Sequence, residues 1–123
     1  MRKLCVPIVA FILAAPVIFS WDYNYTTPAC SATVVTDCIL GFHIYEATVT
    51  PRVLLATVPN PVNAVGAMTS ITHIINSFPH LGNSTAVAVA IFVDWQGQID
   101  ETADSNTVIF QVKPEKPSSL RVQ

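Results

Sequence analysis

The side chains through which this chain could do chemistry are three histidines, a group of carboxylates, the cysteines Cys30 and Cys38 (a third, Cys5, lies in the apolar start) and a few aromatic residues at segment ends. His43, His73 and His80 show neither the His-x-His nor the His-Glu-x-x-His spacing of a metal centre. His43 and His73 fall in strand-like runs, and His80 in the turn Phe78-Pro79-His80-Leu81-Gly82, so edge or solvent-facing histidines are the simplest reading. Asp94, Asp100, Glu101 and Asp104 concentrate negative charge, and such oxygens can ligate calcium. The Asp-x-Asp-x-Asp-Gly loop is absent, however, and Thr102 and Ala103 interrupt the ligand spacing, which favours a solvated loop. A glycosidase pair drawn from these carboxylates would need a cleft and a raised carboxyl pKa that nothing here supplies. There is no Gly-x-Ser-x-Gly elbow and no phosphate-binding glycine loop. The expectation is a non-catalytic domain with no metal and no cofactor.

Cys30 and Cys38 enclose seven polar and β-branched residues, Ser31 to Asp37. A bridge closing so short a loop stabilises by roughly 2–3 kcal/mol in the chain-entropy model. Zinc is the competing use, but two cysteines without a nearby histidine pair fall short of a tetrahedral site. The aromatic candidates for recognition are Trp95, in the loop Asp94-Trp95-Gln96-Gly97-Gln98, and Tyr23 and Tyr25 at the end of a strand. Exposed rings on end loops suit protein or sugar contacts; the alternative for Trp95 is a lid folded over the sheet end. Two sequons, Asn24-Tyr25-Thr26 and Asn83-Ser84-Thr85, complete the inventory.

The elements that must position these residues are strands. The 123 residues are 51% hydrophobic and 11% charged, which excludes a disordered chain and fits one domain. A net charge of -2 without a basic cluster argues against nucleic acid or an anionic membrane surface. Met1-Arg2-Lys3 followed by the apolar run from Leu4 to Ala15 reads as a secretory signal or retained anchor, cut near Ala14 or Ala15 or not at all. Val17, Phe19, Trp21 and Tyr23 then alternate with Ile18, Ser20, Asp22 and Asn24, as in a strand with one buried face. Further strand-like runs are Ile39–Glu46, Arg52–Val58, Met68–Ile75, Thr85–Val93 (apolar on both faces) and Thr107–Val112. Six strands without an amphipathic helix predict an all-β sandwich over residues 16–113, between a leader at 1–15 and a Pro-rich linker or tail at 114–123.

The stretch Val89-Ala90-Ile91-Phe92-Val93-Asp94-Trp95-Gln96-Gly97, with Asp104-Ser105-Asn106-Thr107-Val108, resembles the last two strands of a fibronectin type III module, an immunoglobulin-like fold. Gly41-Phe42-His43-Ile44-Tyr45 is similar to that family's third strand, and Phe19-Ser20-Trp21-Asp22 to its second with the buried tryptophan. Pro117-Ser118-Ser119-Leu120-Arg121-Val122 is similar to the opening of a following module. Two features depart from the pattern: Ala86 stands where the family carries a corner tyrosine, and the first strand would have to come from the leader. The resemblance implies an exported, extracytoplasmic spacer or adhesion module with a protein or cell-surface partner. A small carbohydrate-binding module using Trp95, Tyr23 and Tyr25 is the alternative. Membrane contact would come only through a retained anchor.

Overall fold

The computed structural model describes residues 10–62 and 68–123. The basic start and Cys5 of the expected leader lie outside the described residues. Seven strands follow in order: β1 (Ile12–Asn24), β2 (Cys38–Glu46), β3 (Val53–Pro59), β4 (Met68–Phe78), β5 (Gly82–Val93), β6 (Ile99–Glu101) and β7 (Val108–Val112). None of the described residues is helical. β1 and β4 form a two-stranded antiparallel sheet. It packs against a five-stranded antiparallel sheet in the order β3-β2-β5-β6, with β7 also on β5. The protein is an all-β sandwich.

β1 takes the face its alternation dictates: Phe19 is buried and Val17, Trp21 and Tyr23 pack against the core, while Ile18, Ser20, Asp22 and Asn24 are exposed. The strand starts at Ile12, upstream of the alternating stretch, and Ala14 is buried there. Its register with β4 shifts between Leu13 and Val17, a segment that holds Pro16. Proline cannot donate to the ladder, so an irregularity is where a strand tolerates it. Between the sheets the rings interlock edge to face. Phe42 on β2 meets Trp21 at 5.4 Å and Tyr23 at 5.2 Å, and Phe110 on β7 meets Phe19 at 5.2 Å.

β5 is apolar on both faces, as its sequence indicates. Ala86 and Ala90 join the core between the sheets, with Ala88 on the same face. Val87, Val89, Ile91 and Val93 are buried on the other. One edge of β5 receives β2, and the other receives β7 along Gly82–Ala86 and β6 along Ile91–Val93. Between those two partners the chain still follows the edge: Ser105 N donates to Ala88 O and Thr102 N to Ala90 O, both at 2.9 Å. The hydroxyls return the favour, Ser105 Oγ accepting from Ala88 N at 2.9 Å and Thr102 Oγ1 from Ala90 N at 3.0 Å. The stretch from Asp94 to Asp104, read from sequence as a loop, therefore contains β6, and with Ser105 it continues the ladder through side chains.

Three fastenings fix the end of the sandwich nearest the disulfide. Cys30 and Cys38 are bonded, with Cα atoms 4.9 Å apart. Cys30 N donates to Ile39 O, and Ile39 N to Pro28 O, so the loop doubles back along the start of β2. Tyr25 OH donates to Asn60 Oδ1 at 2.7 Å, and Asn60 Nδ2 donates to Ile39 O at 2.7 Å. That chain ties the exits of β1 and β3 to the entry of β2. The third is Gly41, at φ +153, where a Cβ would lie 2.5 Å from Val58 O. It sits where the β2–β5 register shifts, so only glycine allows β3 to approach at that distance.

Two substitutions test these fastenings by urea denaturation. Gly41→Ala should lower stability by about 1–3 kcal/mol through forced backbone movement. Tyr25→Phe should cost about 0.5–1.5 kcal/mol by orphaning the Asn60 acceptor while keeping the ring in place. Unchanged midpoints would mean that the backbone relaxes freely at Gly41, or that water replaces the tyrosine hydroxyl.

Candidate functional site

The loop after β5 is a built turn. Asp94 Oδ1 accepts from Gln96 N at 2.9 Å and from Gln98 N at 2.8 Å, while Asp94 N donates to Gln98 O at 2.8 Å. Gly97, at φ +81, supplies the left-handed residue that lets the chain reverse into β6. Asp94 is thus spent on backbone amides. The turn carries Trp95 at its tip, 74% exposed, so it is not a lid over the sheet end.

Trp95 borders an open cleft of about 560 Å³ whose other walls include Tyr23, Thr26, Pro28, Asp37 and Phe92. The cleft brings together the end of β1, the disulfide loop and the β5–β6 turn. Of the three aromatic residues singled out from sequence, it unites two. Tyr23 is half-buried, its ring held edge to face against Tyr25 at 4.9 Å and Phe42 at 5.2 Å, and burial raises its hydroxyl pKa. Tyr25 is a correction: expected to be exposed, it is 1% exposed in the core, because it continues the inward parity of β1 past the strand end. Burial, and then the neighbouring Tyr23, raise its pKa too.

A polar cluster that sequence reasoning did not assemble lies on the outer face of the five-stranded sheet. Glu101 Oε2 accepts from Tyr45 OH at 2.5 Å and pairs with His43 Nδ1 at 2.7 Å. Arg52 stands 4.1 Å over the Tyr45 ring and bonds Asp104 Oδ1 at 2.7 Å. The Tyr45 hydroxyl and then His43 hold Glu101 below its ordinary value, against the effect of burial. Burial first, then Glu101, pushes Tyr45 up to about 12. Near neutrality the Glu101 carboxylate is therefore charged and the Tyr45 phenol neutral, the phenol donating to the carboxylate. The cluster's position gives it a structural role: His43 lies opposite Val89, Tyr45 opposite Val87 and Glu101 opposite Ile91, so the polar groups roof the buried outer face of β5.

The remaining candidates stand apart. His80 Nε2 bonds the buried carboxylate of Glu46, which also accepts from Ser84 Oγ at 3.3 Å. The Leu81 carbonyl, then Glu46, raise the His80 pKa above 6.5 against the effect of burial. His73 sits on β4 opposite Phe19, and Asp100 on β6 is exposed, its carboxylate accepting from Glu101 N. Asn24 and Asn83 are exposed. Among the described residues, no group of three histidines, cysteines or carboxylates is placed to hold a metal ion, and no helix is long and apolar enough to cross a membrane. The chain matches no protein-family model, no curated protein and no solved structure.

These pairs give the stability a pH dependence with two limbs. The lowered Glu101 contributes stability that is present above 4.5 and lost as pH falls through its folded value. The raised His80 contributes stability that is complete below 6.5 and lost as pH rises through its folded value. Urea midpoints across both ranges should show each limb. Glu101→Gln should flatten the acid one and His80→Phe the other; an unchanged profile in either variant would remove that pair as the cause.

Proposed function

We propose that this protein is an exported, non-catalytic β-sandwich module of fibronectin type III-like character that acts by protein interaction at the Trp95 cleft, with adhesion or spacing between domains as its role. One observation carries the reading: a single large aromatic side chain stands exposed on a turn fixed by four hydrogen bonds to and from Asp94. A rigid tryptophan anchor beside an open cleft is the usual form of an interface hot spot. The neighbouring disulfide loop, also part of the cleft wall, keeps its shape without a large core behind it.

Support for the family character comes from the strand order, with β1 and β4 in one layer and β3, β2, β5 and β7 in the other. The Tyr25–Asn60 bond serves as a pin at the sandwich end, although Ala86 replaces the family's corner tyrosine. Export is supported by the basic and apolar beginning of the chain and by the Cys30–Cys38 bridge. The geometry favours a protein over a polysaccharide as partner. Sugar platforms present ring faces, whereas Tyr25 is in the core and Tyr23 is held by edge-to-face neighbours, leaving Trp95 alone.

The test is retention of extracellular proteins from the host on the immobilised chain, with cellulose, chitin and starch binding measured in parallel. A protein bound by the wild type and at least ~30-fold more weakly by Trp95→Ala is the expected result, corresponding to a hot-spot residue. Equal retention by Trp95→Ala would overturn the assignment of the cleft. Polysaccharide binding that Trp95→Ala abolishes would establish the sugar-binding alternative instead.

A further inference from the structure

β1 has one strand ladder only; apart from it, Ala15 N donates to Lys113 O at 2.7 Å, just beyond β7. The ladder is with β4, and among the described residues no strand pairs along the other side of β1. Beyond that contact, the stretch of β1 from Val17 to Asn24 has a ladder on one side only, and an open edge is a template for another strand. Beside that edge the sandwich is not closed. A groove runs between β1 and the stretch that follows the edge of β5, bounded by Trp21, Asp22 and Tyr23 on one side and by Thr102, Ser105 and Val108 on the other. It encloses about 360 Å³ and continues past Phe19 and Ala86 as a smaller cavity of about 60 Å³. Trp21 lines both, and its Nε1–H is buried without a hydrogen-bond partner. Buried indole donors normally have an acceptor, so this one marks where an incoming carbonyl would be used.

The same chain carries a segment of matching chemistry. Residues 114–123 form no element, and every one of them is exposed. Leu120 and Val122, two apart, stand fully in solvent, and in an extended strand they would share one side. Arg121 complements Asp22 at the groove rim. Pro114 and Pro117 keep the start of the segment extended. In its own molecule the segment leaves from Lys113, whose carbonyl accepts from Ala15 N at 2.7 Å, and none of residues 114–123 lines the groove.

We propose that residues 117–123 of a second copy of this chain add as a strand to the open edge of β1, with Leu120 and Val122 entering the groove between the sheets and a backbone carbonyl accepting from Trp21 Nε1. Main-chain pairing supplies affinity, and the two alternate side chains supply register. The donor and acceptor surfaces differ, so the contact is head-to-tail, and successive copies form a ring or an open chain.

Sedimentation and amide hydrogen exchange of the full chain test this, with Leu120→Asp/Val122→Asp as the control. Those side chains are fully exposed, so the control leaves the sandwich intact. The wild type should at least double its weight-average mass between about 10 μM and about 1 mM, with β1 amides slowing in step. The control should stay monomeric with fast β1 exchange. A monomeric wild type at the highest concentration overturns the proposal, as does equal association by the control. Protection of β1 that is independent of concentration but lost in the control would show the segment docking in its own molecule, which also overturns it.

Discussion

The alternation of alanine and valine along β5 is the constraint on which the rest of the architecture depends. Facing sheets sit about 10 Å apart, and the space between them must be filled without voids. Here the filling comes from rings: Phe19, Trp21 and Tyr23 on β1, Phe42 on β2, Phe78 on β4 and Phe110 on β7. Rings of that size fit because β5 offers Ala86, Ala88 and Ala90 on the facing side, and Phe42 lies directly opposite Ala90. A larger residue at Ala90 would compete with Phe42 for the same volume and push the sheets apart. The valines on the other side then need a cover of their own, which among the described residues no third layer provides.

That cover accounts for the place of the polar cluster on the outer face of the five-stranded sheet. His43, Tyr45, Arg52 and Glu101 are the polar residues positioned above Val87, Val89 and Ile91. Long side chains can shelter apolar surface while keeping their polar ends wet, and mutual bonding holds them in place. Glu101 Oε2 meets the Tyr45 phenol and the His43 ring nitrogen, and Oε1 lies 3.8 Å from the Arg52 guanidinium.

Most of the strand pattern was legible because period-two alternation is a local signal. β2, β3, β5 and β7 fall within a few residues of their sequence-read positions, and β4 continues three residues beyond Ile75 to Phe78. β6 has only three residues, too few for periodicity to register, and its extension depends on hydroxyls that bond like a backbone. The start of β1 was obscured because Ile12 to Ala15 belongs to an apolar run whose composition suits a leader as well as a strand. Tyr25 is the instructive misreading. Its odd-numbered parity with Phe19, Trp21 and Tyr23 pointed inward, but its place at a strand end suggested exposure, and parity prevailed. The Glu101 cluster was beyond local signals altogether: His43 and Glu101 are 58 residues apart and meet only because β2 and β6 flank the same strand.

The two layers are unequal, and the inequality has an energetic meaning. A pair of strands has little stability of its own in water. β1 and β4 therefore persist because their inward side chains are packed into the other sheet, not because of the ladder between them. Their outer face shows what the ladder alone offers: the exposed pair Ile18 and Ile74, a 3.3 Å contact between the Ser20 and Thr72 hydroxyls, and a bond from Ser70 Oγ to Asp22. Such exposed pairs contribute only about 0.2–1 kcal/mol each. The aromatic contacts on the inner face must carry the layer, and Trp21 and Phe19 are the members nearest the open edge. Surface added at that edge would extend the thinner sheet and shelter the rings that anchor it, so pairing and core packing would reinforce each other there.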